Sequence, residues 1–163
     1  MSNNQVVYVQ EAPSYIFLGV TMQIHLSGEQ TGGEFSLIEA VMPPGGDGGL
    51  HVHSREDESV HMLDGSLQVT VGQQTFTLKA GQTYFAPRDI PHRLTNTGNV
   101  PARALLINTP GTFDEFVSIA GVTAGQDTPA AAIPDADQVQ RLLALAEEFG
   151  VKILAPPELP VRI

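Results

Sequence analysis

The stretch GGDGGLHVHSREDESVHMLDG, residues 45–65, decides the fold of this 163-residue chain. It places His51 and His53 two residues apart, and on a β-strand the side chains of residues i and i+2 leave the same face. Glu58 follows five residues after His53, beyond a turn-like segment, and can face the same interior from the next strand. Two imidazoles and a carboxylate at these spacings can form one face of a metal site. The stretch therefore predicts a strand, a turn and a second strand that together carry metal ligands.

A second stretch, GQTYFAPRDIPHRLTN at residues 81–96, adds another histidine, His92. Together the two stretches match the two sequence motifs of the cupin family, so the chain resembles a single-domain cupin. The matching positions are Gly45, His51, His53, Glu58 and Gly65 in the first motif and Gly81, Pro87, His92 and Asn96 in the second. Asp89 departs from the pattern, because a Gly is usual two residues after the Pro. Since Asp adopts the left-handed conformation less readily than Gly, this departure questions the local turn but leaves the ligands in place.

The resemblance implies an all-β fold, a small antiparallel jelly-roll barrel that holds one divalent transition metal ion. The implied metal ligands are His51, His53, Glu58 and His92. The chemistry agrees, since three imidazoles and one carboxylate suit a first-row ion and leave one or two positions open. Ligands of these types do not discriminate among Fe, Mn, Ni, Co, Cu and Zn. The alternative is a polar barrel mouth in which hydrogen bonds satisfy the histidines without a metal.

The chain around the motifs has the pattern of many short strands separated by turns. Residues 21–26 alternate apolar and polar side chains, which is typical of a half-buried strand, and the segment PPGGDGG must be a loop. Asp64-Gly65-Ser66 favours a tight hairpin turn. We expect a meander of antiparallel strands, with residues 1–109 forming the barrel and its N-terminal strand. The predicted strands cover residues 5–9, 15–26, 34–42, 58–63, 67–71, 75–78, 82–86, 93–96 and 102–108.

Residues 110–163 are predicted to form a short C-terminal helical extension that packs on the barrel, so that the chain is a single domain overall. Thr112 to Glu115 has the form of a capping box at the start of a first helix. A second helix starts at Asp135 and ends at Gly150. Between the helices, residues 122–134 are small and turn-prone, which indicates a linker over the surface.

Strand alternation predicts an apolar chamber beside the metal ligands, suited to an aromatic or otherwise apolar small molecule. Its predicted lining residues are Leu37, Val60, Met62, Tyr84, Leu94, Phe113 and Phe116. The last two belong to residues 111–116, a segment that resembles the one at this place in quercetinase-like single-domain cupins. In this chain Phe113 and Phe116 can close the barrel mouth over a ligand, or they can simply pack a helix on the barrel.

The resemblance implies a metal-dependent dioxygenase of the quercetin 2,3-dioxygenase type, or a relative that acts on another small aromatic or enolic substrate. Glu58 would be its catalytic residue, either as a ligand or as the base that takes the substrate's hydroxyl proton. Two alternatives stay open, because one barrel hosts many chemistries. One is a non-oxidative isomerase, lyase or decarboxylase, and the other is a non-catalytic small-molecule-binding protein.

Composition favours small molecules or proteins as partners, and for an oxygenase dioxygen would be one of the small molecules. The net charge of −10 argues against nucleic acid, which requires a Lys/Arg surface, and the absence of Cys leaves His, Asp and Glu as metal ligands. The start of the chain lacks the features of a leader and no long apolar run follows, so we expect a cytoplasmic protein without a membrane partner. The family likeness also implies a homodimer, for which residues 5–9 are a candidate exchanged strand.

The remaining polar residues near the motifs are assigned away from the metal. His61 lies three residues after Glu58 and should face the opposite side of its strand, and His25 should lie on the surface. Three arginines beside the motifs can hold an anionic substrate, but neighbouring acids favour local ion pairs. The arginines are Arg55, Arg88 and Arg93, and the acids are Glu56, Asp57 and Asp89.

Overall fold

A computed structural model describes residues 5–125, 128 and 134–158. Within these residues the strands are β1 (Ser14–Phe17), β2 (Val20–Leu26), β3 (Ser36–Met42), β4 (Leu50–His53), β5 (Asp57–Asp64), β6 (Ser66–Val71), β7 (Gln74–Lys79), β8 (Thr83–Ala86), β9 (His92–Thr95), β10 (Ala102–Thr109), β11 (Val122–Ala124) and β12 (Val151–Ala155). The helices are α1 (Phe113–Ala120) and α2 (Ala136–Ala146), and a 3-10 turn (Glu147–Phe149) joins α2 to β12. None of these helices has the length and apolar character needed to cross a membrane.

The strands form two antiparallel sheets, ordered β11-β1-β2-β3-β10-β5-β8 and β12-β4-β9-β6-β7. Neighbours in a sheet are often distant in sequence, because β10 pairs with β3 and β5 while β9 pairs with β4 and β6. Consecutive strands from β3 onward therefore pass repeatedly from one sheet to the other, as a jelly roll requires. The predicted all-β jelly-roll barrel with short C-terminal helices is therefore confirmed, whereas a simple meander is wrong.

The inward faces of both sheets form one apolar core. Along β3, buried and half-buried residues alternate at every position, which is the period of a strand with one face inside. Ile38 is fully buried, as are Val60 and Met62 on β5. Leu37, which we predicted in the chamber, is instead on the half-buried outer side of β3. The prediction chose the wrong phase of the alternation for this strand.

The N-terminal part departs from the predicted strands in two places. Residues 5–9 form no strand, and Tyr8 is 86% exposed. An extended segment becomes a strand only where a neighbour pairs with its backbone, and no described residue does so here. The single strand predicted over residues 15–26 is a hairpin of β1 and β2, which turns at Leu18 and Gly19, both with positive φ.

The C-terminal extension contributes strands as well as helices, so its description as helical was incomplete. β11 lies within the predicted linker and pairs with β1, and β12 pairs with β4, the strand that carries two of the histidines. Residues 126–127 and 129–133 of that linker are outside the described residues. The start of α2 matches its prediction, since Asp135 and Gln138 form a capping box. The extension thus covers one edge strand of each sheet.

Candidate metal centre

The four predicted ligands lie together inside the barrel. β4 carries His51 and His53, and the pairing of β4 with β9 sets His92 directly opposite His51. One possible ligand atom from each of the three histidines lies within 4.8 Å of the others. Glu58 reaches them from the other sheet, and its carboxylate oxygens are 3.4 Å from Nε2 of His92 and 3.8 Å from Nε2 of His53.

The Nδ1 atom of each imidazole is bonded to an acceptor outside this cluster. The three pairs are His51 with the carbonyl oxygen of Gly49 (3.0 Å), His53 with a carboxylate oxygen of Glu56 (2.8 Å) and His92 with the carbonyl oxygen of Ile90 (3.2 Å). Carbonyl and carboxylate oxygens accept hydrogen bonds, so each Nδ1 carries the proton. A neutral imidazole then keeps its lone pair on Nε2, which is the arrangement found in metal-ligating histidines.

The surroundings of the Nε2 atoms of His53 and His92 show whether a metal ion fits the site. Both atoms are buried and have no hydrogen-bond partner among the described residues. An unpaired buried polar atom costs about 1–3 kcal/mol, and hydrogen bonds within the protein do not relieve that cost here. A divalent ion would bind both lone pairs at once. The residues present therefore fit a divalent transition metal ion, although ligands of these types do not specify which one.

Glu58 is held as a carboxylate by two donors. The hydroxyl of Tyr84 donates to its Oε1 (3.2 Å) and the side-chain amide of Asn108 donates to its Oε2 (3.3 Å). Burial alone would raise the pKa of Glu58, but the imidazoles of His92, His53 and His51 outweigh it and lower that pKa. Burial and then the Glu58 charge raise the pKa of Tyr84 well above its usual value, so its hydroxyl keeps its proton and donates.

We expect metal binding to depend on pH through His92. Burial lowers the pKa of His51 to about 3, so this imidazole is neutral in the neutral range. Burial acts in the same direction on His92, but the Glu58 carboxylate outweighs it and raises the pKa of His92 above 6.5. An incoming ion must displace that proton. Below the raised pKa the affinity for Co²⁺ should therefore fall about tenfold per pH unit, and above that pKa it should level off.

Calorimetric titrations with Co²⁺ in buffers of different ionisation enthalpy will measure both the affinity and the number of protons released. If the affinity stayed unchanged between about pH 6 and pH 8, His92 would not be a ligand, since a histidine ligand titrates in this range.

Glu56 is a buried carboxylate, although we predicted that it forms local ion pairs with the neighbouring arginines. It is 1% exposed, and it accepts hydrogen bonds from His53 and from the hydroxyl of Thr112. The three arginines have other partners, namely Asp57 for Arg88, Asp47 for Arg93 and the backbone carbonyl of Glu148 for Arg55. The available signal was the spacing of Glu56 three residues after His53. The predicted capping box of α1 is wrong, because Thr112 makes no side-chain cap and its hydroxyl bonds Glu56 instead.

The other two histidines lie away from the metal ligands, as predicted, and Asp89 keeps the turn of the second motif. His61 is on the outer side of β5, 2.8 Å from the hydroxyl of Thr83, and His25 pairs with Glu39 at 3.3 Å. Asp89 adopts a φ of 65°, the left-handed conformation usual for the Gly it replaces. Its backbone amide donates to the carbonyl oxygen of His53, so the turn of the motif is retained.

An apolar cavity of about 70 Å³ adjoins the ligands. Among the described residues that line it, His51 and Glu58 are the polar side chains. Leu94, Phe113 and Phe116 line the cavity, as predicted. The predicted Val60 and Met62 are instead buried in the core nearby, and Tyr84 contacts Glu58. α1, α2 and β12 also contribute to the lining, with Leu142 from α2 and Val151 from β12.

Known proteins with related sequences and structures share this region. The family model described as a cupin domain matches residues 38–108. An uncharacterized protein of Methanocaldococcus jannaschii is 36% identical over 75 residues, which are 46% of this chain and 60% of that protein. The tetracenomycin polyketide synthase protein TcmJ of Streptomyces glaucescens is 34% identical over 80 residues, 49% of this chain and 52% of that protein. The match thus spans about half the length of such curated relatives.

Among solved structures, a predicted oxalate decarboxylase from Thermotoga maritima has 27% sequence identity and a TM-score of 0.58. The similarity covers 65% of this chain and 99% of that chain.

Proposed function

Residues 38–108 match the family model of a cupin domain, and on this basis we propose that the protein is a metal-dependent dioxygenase for a compact, largely apolar substrate with an enolic or phenolic oxygen. The observation that carries the proposal is the contrast within the cavity. His51 and Glu58 supply its polar side chains, and its other described lining residues are apolar or Gly. Such a cavity favours a molecule that buries apolar surface and directs one polar group at the ligands.

A divalent ion held by the three histidines would supply Lewis-acid activation of the substrate oxygen, with Glu58 beside it. The chain itself supplies the base. Glu58 is ionised, lies at the edge of the cavity and is fixed by Tyr84 and Asn108, so it can accept the hydroxyl proton of the substrate. The Phe113 ring, 5.2 Å from the His53 ring between centroids, shields the ligands from water.

The volume of the cavity favours a compact substrate. At about 70 Å³ it is well below the roughly 300–1,000 Å³ of sites for drug-sized ligands. A flavonol would require α1 and α2 to move outward, whereas a smaller enol or phenol would require less movement. The similarity to a polyketide synthase protein supports this chemistry, because polyketides carry enolic and phenolic oxygens.

A second candidate is a non-oxidative reaction, and the similarity to a predicted oxalate decarboxylase favours it. A small dicarboxylate carries two negative charges and would need a cationic side chain in the cavity in addition to the metal ion. No Lys or Arg is found among the described residues that line it. The apolar lining therefore favours the first candidate.

Oxygen consumption tests the proposal. Metal-free protein is loaded separately with Fe, Mn, Co or Ni and offered a β-diketone, a simple phenol and a flavonol. We expect at least one metal form to consume dioxygen in step with substrate loss, and we expect Glu58→Gln to abolish turnover because the base is lost. Turnover in the absence of oxygen would indicate the non-oxidative enzyme instead, and tight binding without turnover would indicate a binding protein.

A further inference from the structure

We infer that Glu56 is a positioning residue for the metal ligand His53, and that Thr112 holds Glu56, so that metal affinity is coupled to the start of helix α1. The inference rests on the metal site proposed above and deepens it. It concerns a carboxylate one layer outside the ligands and the helix that covers the cavity.

The environment of Glu56 differs from that of an ordinary surface acid. Its side chain is 1% exposed, and a buried carboxylate is costly unless strong donors satisfy it. Arg55 is its neighbour in sequence but points away, to the backbone carbonyl of Glu148 at 2.9 Å. Among the described residues, the donors to Glu56 are Nδ1 of His53 and the hydroxyl of Thr112. Its burial is thus directed at a ligand rather than at a cation.

His53 is the histidine of the cluster whose outer nitrogen meets a side chain. His51 and His92 donate to backbone carbonyls, which a substitution elsewhere would leave in place. A carboxylate in this position fixes the imidazole with its lone pair on Nε2 and makes that nitrogen a stronger ligand. The contribution of His53 to metal binding therefore depends on Glu56.

Thr112 links this pair to the cavity. It occupies the N-cap position of α1, yet its side chain makes no capping bond and donates to Glu56 instead. The next residue, Phe113, sets its ring edge-on to the His53 ring and lines the cavity. A displacement of Phe113 by a ligand would therefore move Thr112 and alter the bond that holds Glu56.

The test measures metal affinity without substrate in Glu56→Gln, Thr112→Val and the double variant. Co²⁺ binding is followed by calorimetry and by the visible absorption of the bound ion. We expect E56Q to lower the affinity about 10–100-fold and to shift the Co²⁺ spectrum, because the carboxylate behind a ligand histidine is lost. T112V should lower the affinity by a smaller factor, Thr112→Ser should restore it, and T112V should have little further effect in the E56Q background, since Thr112 acts through Glu56.

Matched controls are Glu115→Gln and Ser118→Ala, which remove an acid and a hydroxyl on α1 that do not contact the cluster. Both should bind Co²⁺ like the unmodified protein. Wild-type affinity and spectrum in E56Q would overturn the inference, and so would a T112V effect that persists undiminished in the double variant. Failure of the unmodified protein to bind any metal would instead reject the proposed function.

Discussion

Replacement of His92 by alanine is expected to lower the affinity for Co²⁺ or Mn²⁺ by more than about 100-fold, because loss of a ligand should exceed the 10–100-fold cost of losing a ligand's outer partner. Nε2 of His92 is buried, lies 3.4 Å from a carboxylate oxygen of Glu58, and has no hydrogen-bond partner in the part of the chain that the structure describes. The variant removes this lone pair and leaves the Glu58 carboxylate with a weaker partner set. Metal content after dialysis and calorimetric titration measure the loss, and any metal-dependent turnover should disappear with it.

The matched control is His61→Ala. His61 is on the same strand as Glu58, but it faces the outer side and bonds Thr83, so its loss should leave metal affinity unchanged. Circular dichroism establishes that each variant is folded, and His51→Gln tests the same cluster should H92A prove unstable. Wild-type affinity in folded H92A and H51Q would mean that these imidazoles are not ligands.

The ligands could be predicted from sequence because their geometry is local or is fixed by the two motifs. His51 and His53 share a face of β4 simply because they are two residues apart. The Asp64-Gly65 turn sets where the strand of Glu58 ends. The approach of His92 depends on the pairing of β4 with β9, and the approach of Glu58 depends on the packing of the two sheets. For both residues the resemblance to the two motifs supplied what spacing could not.

The supporting residues could not be predicted because they depend on pairing between distant strands. Asn108 reaches Glu58 through the register of β10 with β5, and a shift of one residue would turn its side chain to the other face. On β3 the run SLIEAVM is almost continuously apolar, so hydrophobicity does not reveal whether Leu37 or Ile38 faces inward. β11 and β12 are short strands that exist because β1 and β4 offer free edges.

Replacement of Phe116 by alanine is expected to lower the free energy of unfolding by about 3–5 kcal/mol, the usual cost of deleting a fully buried aromatic ring. Phe116 is 1% exposed, and its ring is 5.3 Å from that of Phe17 on β1 and 5.1 Å from that of Phe149 in the 3-10 turn, between centroids. It therefore joins the barrel to the C-terminal extension. Because the ring also lines the cavity, F116A should enlarge the space beside the ligands. Urea denaturation followed by circular dichroism measures the change in stability.

Phe85→Ala provides the comparison, since this ring is 58% exposed and its removal should change stability by less than about 1 kcal/mol. A cost for F116A as small as that of F85A would mean that the extension does not pack on the barrel as described. Phe149→Ala separates the two halves of the contact, because the stacked pair should be worth about 0.5–1.5 kcal/mol beyond area burial. F116A and F149A should then combine to less than the sum of their separate effects, since the second deletion removes a contact already lost. Full additivity would show that the stack of Phe116 on Phe149 adds no stability of its own.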